Sequence, residues 1–112
     1  MIVTLSVQGP LPDRHDPGRC ADRGSPHAAP LAAAAAAAVA QDPAAFPLRG
    51  PFGITIRSGT ALPRFDGYDV DDTVIEVLVD VGMIADERQE RWARCIHDRT
   101  LGTTYVMAIE PA

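Results

Sequence analysis

The chain opens on a strict alternation of apolar and polar positions. Ile2, Thr4 and Ser6 fall on one side and Val3, Leu5 and Val7 on the other. This period-two pattern predicts a strand with one apolar face. Gly9, Pro10 and Pro12 end it. Residues 10–30 hold five prolines, Gly18, Gly24 and many charges, and read as an exposed loop. Leu31–Gln41 is almost pure alanine, the strongest helix former. Its small side chains predict close packing on a sheet with little burial per residue, and Pro43 and Pro47 stop it. Gly53–Arg57 reads as a second strand, with Ile54 and Ile56 on one face and Thr55 on the other.

The period then changes. Val74, Val77, Leu78 and Val81 recur at helical spacing, and Gly82 suits a C-terminal stop. Thr73 and Glu76 fit a capping box, which predicts a helix beginning near Thr73. Asp71 and Asp72 then precede it, where negative charge favours the helix dipole. The competing pattern is a buried strand, because VIEVLV is rich in β-branched residues. Arg91–Asp98 fits either strand or helix, and Thr103–Ile109 reads as a final strand closed by Pro111. The order predicts an α/β fold: one small domain over residues 1–112, a mixed sheet packed with two helices.

Charge changes this picture in one place. The net charge is -5, yet residues 66–90 hold nine acids (Asp66, Asp69, Asp71, Asp72, Glu76, Asp80, Asp86, Glu87, Glu90) against Arg88 alone. The remainder is mildly basic, and the chain has no lysine. On a helix, Asp72, Glu76 and Asp80 share one face, where like charges repel by roughly 0.2–0.5 kcal/mol per pair. Either that face is simply solvated or the acids bind something. Carboxylates from two elements suit a hard cation such as Mg²⁺, which activates water and stabilises a phosphoryl transition state. The donors would be Asp66, Asp69 or Asp71 with Asp86 or Glu87.

Other features yield less. Cys20 and Cys95 lie far apart and form no zinc-type spacing. His15 and His97 read as isolated exposed histidines, and Cys95 as a small apolar residue. Trp92 reads as a core anchor, with stacking on a base as its alternative. Tyr68 stands in the acidic turn, where it packs over the site or replaces an acid. MIVTLSVQG lacks a basic n-region and a long apolar stretch, and Leu31–Ala40 is too short and too alanine-rich to span a bilayer. The expectation is a cytoplasmic protein without a membrane partner.

Taken in order, these motifs resemble the RusA family of Holliday junction resolvases. IVTLSVQGPLP at Ile2–Pro12 is similar to the family's opening strand, and RGPFGITI at Arg49–Ile56 to its second. DVDD at Asp69–Asp72 stands where the family has a D-x-D-N turn, and VGMIADE at Val81–Glu87, followed by Gln89, where it has a Gly-hydrophobic-x-DD turn. Thr103–Pro111 supplies the last strand, so the resemblance covers the whole chain. The family's Asn is Asp72 here, its lysine falls on Ile75, and its second distal acid is Glu87. The segment from D-x-D to the distal acids is about one helical turn short. An ungapped register puts the first Asp on Asp66, the second on Tyr68, the lysine on Asp72 and the distal acid on Glu87. Either a turn of helix was lost or the site has decayed.

The resemblance implies a Mg²⁺-dependent, structure-selective endonuclease acting as a homodimer on branched DNA. Asp69, Asp71 and Asp86 would be catalytic metal ligands, with Glu87 a second candidate for the distal position. Arg14, Arg19, Arg23, Arg57 and Arg64 would contact phosphates. A catalytically inactive DNA-binding or phage accessory protein is the first alternative. An acidic protein-interaction domain is the second.

Overall fold

The computed structural model describes residues 2–9, 11, 28–59 and 68–112, with side chains in the last segment from residue 73 onward. The elements are β1 (Val3–Gln8), α1 (Ala28–Gln41), β2 (Phe52–Ser58), α2 (Tyr68–Asp80), β3 (Glu90–His97) and β4 (Thr104–Pro111). The four strands form one mixed sheet in the order β1-β4-β2-β3. β4 runs antiparallel to both β1 and β2, while β2 and β3 are parallel. Parallel neighbours need a crossover, and α2 supplies it.

Both helices share one core with the inner face of the sheet. Val3, Leu5 and Val7 of β1, Ile54 and Ile56 of β2, and Tyr105, Met107 and Ile109 of β4 bury against Leu31 and Ala35 of α1 and Val74, Ile75, Val77 and Leu78 of α2. The alternation in β1 thus sorts its residues as the sequence predicts. α1 presents only Leu31 and Ala35 fully to the core, which is how an alanine helix packs closely. Gly82 takes φ +80 just after α2, the left-handed conformation that a non-glycine residue adopts only at a steric cost.

Several expectations change. α1 begins at Ala28, so the last three residues of the predicted loop are helical. α2 begins at Tyr68, which puts Asp69 and Asp71 on the helix rather than in a turn before it. Thr73 is therefore not a cap. It faces the core at 4 % exposure, and its hydroxyl has no hydrogen-bond partner. The dipole argument applied to Thr73 holds one turn earlier, where the acids occupy the first turns. The ambiguous segment is a strand, β3, because it pairs along β2 from Phe52↔Glu90 to Ser58↔His97. Trp92 is not a core anchor, because it stands on the other face of the sheet.

Candidate nucleic-acid interface

That other face is uncovered by any described element. Strand pairing arranges it in rows. Glu110, Gly53 and Trp92 form one row, Thr4, Ala108, Thr55 and Arg94 the next, and Ser6, Val106, Arg57 and Ile96 the third. Thr4, Ser6, Arg57, Arg94 and Ile96 are exposed, Ile96 to 43 %. A shallow depression of about 380 Å³ lies across the second and third rows, with Glu110 at its edge.

The geometry around Trp92 is specific. A Cβ on Gly53 would overlap Cε2, Cζ2 and Cδ2 of the Trp92 indole, so the ring lies directly on the glycine backbone. Only glycine leaves that space. The Arg94 guanidinium carbon sits 5.1 Å from the ring centroid, a cation–π contact. Arg94 Nε donates to Thr55 Oγ1 at 3.0 Å, which anchors the guanidinium between strands. Arg57 projects from the neighbouring row. Glu110 and Asp98 stand at the margins. The Thr100 hydroxyl (2.6 Å) and backbone N–H (3.0 Å) hold the Asp98 carboxyl below its ordinary range, with the Arg57 charge adding to the effect.

Asp86 and Glu87 lie in the turn between α2 and β3. Asp86 caps the 3₁₀ turn Glu87–Gln89: its carboxylate accepts from Arg88 N–H at 2.9 Å, while Gln89 Oε1 accepts from Asp86 N–H at 2.7 Å. Gln89 Nε2 also donates to the carbonyls of Leu48 (3.0 Å) and Gly50 (2.8 Å), tying this turn to the segment before β2. Arg88 grips both Asp86 oxygens, the closest contact being Nη2 to Oδ2 at 2.8 Å. Those side-chain bonds, with the Arg88 N–H, hold the Asp86 carboxyl at about 2. Glu87 is exposed beside it.

No family model matches the chain, and no curated protein is significantly similar to it.

The residues singled out from sequence divide accordingly. Arg57 is on the uncovered face. Arg14, Arg19, Arg23 and Arg64 lie outside the described residues, as do Asp66, His15 and Cys20. The backbones of Tyr68, Asp69 and Asp71 belong to the first turns of α2, and their side chains lie outside the description. Asp86 and Glu87 follow the opposite end of α2. From Asp71 to Asp80 the helix rises about 13 Å. Among the described residues, no three His, Cys, Asp or Glu side chains gather as a metal site. A hard cation at Asp86 would also have to displace Arg88.

Sequence reasoning missed Arg94, Gly53 and Gln89. The signal for the first was present: Trp92, Arg94 and Ile96 alternate with Ala93 and Cys95, which sorts faces once β3 is read as a strand. Cys95 is half-buried against the core, where burial pushes its thiol up. His97 is exposed, with Nε2 3.3 Å from the Gly59 carbonyl. No helix among the described residues is long and apolar enough to cross a membrane.

Proposed function

We propose that the protein is a RusA-type domain that binds branched DNA through the uncovered face of its sheet. The observation carrying this reading is the Trp92–Arg94 stack on Gly53 with Arg57 one row away. Guanidinium groups neutralise phosphates with fixed geometry, and an aromatic on an open sheet takes bases. The order of motifs along the chain carries the family resemblance. The acidic α2 side repels DNA and leaves the sheet face as the approach. A homodimer would present two such faces to the arms of a junction.

A second reading adds Mg²⁺-dependent cleavage by Asp69, Asp71 and Asp86. It rests on the family resemblance at Asp69–Asp72 and Val81–Glu87. Cleavage and binding are separable in one assay. A labelled four-way junction is incubated with and without Mg²⁺, beside Asp71→Asn and the double variant Arg57→Glu, Arg94→Glu. Binding lost only in the arginine variant supports the DNA reading, and metal-dependent nicking abolished by Asp71→Asn supports cleavage. Absence of any complex by folded protein overturns both.

A further inference from the structure

We infer that the Trp92–Arg94 stack is a seat for an unpaired nucleobase, so that the protein selects DNA by its unstacked bases rather than by duplex charge. This rests on the DNA-binding reading above and specifies what that face recognises.

The argument begins with charge. A chain of net charge -5 does not attract DNA over its whole surface. Among the described residues, the cations at the centre of this face are Arg57 and Arg94. Two neutralised phosphates release few counterions, giving a salt slope of only about -1.4 on single strands. Those two contacts alone leave room for a second source of affinity. The face offers one: a flat indole fixed against a glycine backbone, with a guanidinium plane held over it by Thr55. The exposed guanidinium of that stack accepts a base, and stacking accepts any base because each has a π face. A base inside an intact duplex has no free face to give. One at a junction crossover, a flap or a single strand does. Arg57, one row beyond Arg94 and two beyond Trp92, is positioned for the phosphate of a strand whose base lies on the Trp92–Arg94 stack. The exposed hydroxyls of Thr4 and Ser6 extend the polar track across the sheet.

The same surface would suit a second copy of the chain, since Ile96 and Val106 add apolar area. The central arginine pair disfavours this, because self-docking about a two-fold axis brings like charges together.

The test uses the chain's one tryptophan as its own reporter. Anisotropy is measured for a labelled oligo-dT strand, a four-way junction and a blunt duplex, and Trp emission is followed in the same titrations. The expected result is at least about tenfold tighter binding of the single strand and junction than of the duplex, with a change in Trp emission. Trp92→Leu removes that preference without changing the melting temperature appreciably, while Trp92→Phe retains part of it. Gly53→Ala, which displaces the indole, acts like Trp92→Leu. Equal binding of all three DNAs with unchanged emission overturns the base seat and leaves DNA binding standing. Failure to bind any DNA overturns both. A dimer in sedimentation that Trp92→Leu dissociates assigns the face to a second copy and overturns the proposal.

Discussion

The uncovered face of the sheet and the acidic edge beyond α2 use the same kind of residue in opposite ways. On the sheet, Arg94 is spread over an indole and held by a neutral hydroxyl, so its charge remains available. At the edge, Arg88 closes on both oxygens of Asp86, and each charge is spent on the other. The first arrangement leaves its guanidinium exposed, with no acid among the described residues bonded to it. The second is a local fastening of a 3₁₀ turn, completed by Gln89. An arginine count along the sequence does not distinguish these roles, whereas the partner of each guanidinium does.

The sharpest way to break this comparison is to reverse the charge on each side. Arg57→Glu with Arg94→Glu is expected to weaken junction binding about a hundredfold, two charge-assisted contacts at roughly 1.5 kcal/mol each. Arg88→Glu, at the acidic edge, is expected to change binding less than about threefold, because an exposed ion pair contributes little. Anisotropy titrations at fixed salt measure both. Equal losses from the two variants would mean that DNA approaches from the α2 side.

Much of this contrast was readable beforehand, and some was not. β1, β2 and β4 follow from alternation alone, since one buried face imposes period two. α1 follows from propensity. β3 does not, because ERWARCIH carries too few apolar residues on its inner side, where Ala93 and Cys95 pack. An edge strand with small inner side chains leaves a weak signature. Trp92 reads as a core residue for the same reason: without the strand, its face is undetermined. The first turn of α2 was hidden by a plausible cap at Thr73, when the acids before it were already helical. Gln89 joins residues about forty positions apart, and no local pattern reports such a bond.

Gln89 sharpens the comparison at the next level of effect. It fastens the acidic edge to the segment before β2 without touching the open face. Gln89→Leu strips two carbonyls and one N–H of their partners, all at partly exposed positions. The expected cost is about 2 kcal/mol of stability, read by denaturant unfolding. DNA affinity of the folded fraction should stay within about twofold. A large loss of affinity would show that the two regions are mechanically coupled.

Between the two regions lies the core, where, among the described residues, two hydroxyls are buried without partners: Thr73 on α2 and Tyr105 on β4. Burial pushes the Tyr105 phenol well up. Thr73→Val keeps shape and removes an unsatisfied group, and it restores an apolar position to the helical stripe. The expected gain is about 1 kcal/mol, measured by the same unfolding curves. Destabilisation would mean that the hydroxyl has a bound partner in solution.

The smallest effect is the titration of Asp86, and it isolates the acidic edge alone. The folded carboxyl is held at about 2, against an ordinary value of 3.8. A depressed carboxyl favours the fold while ionised. Its contribution is therefore complete above about pH 4 and disappears as pH falls toward 2. The pair is exposed, so solvent screens it and a melting curve will barely register the change. Asp98 is lowered too, through Thr100 first, so global stability would mix the two groups. Carboxyl chemical shifts separate them. The Asp86 resonance should titrate near pH 2, with the Arg88 N–H and Nε–H shifting in step, while the Trp92 indole N–H stays fixed. Replacing Arg88 by alanine should return the midpoint toward 4, because it removes the guanidinium and keeps the backbone donor. A midpoint near 4 in the unaltered protein would mean that Arg88 does not close on Asp86 in solution. The acidic edge would then have a free arginine of its own, and the difference between the two faces would rest on Trp92 alone.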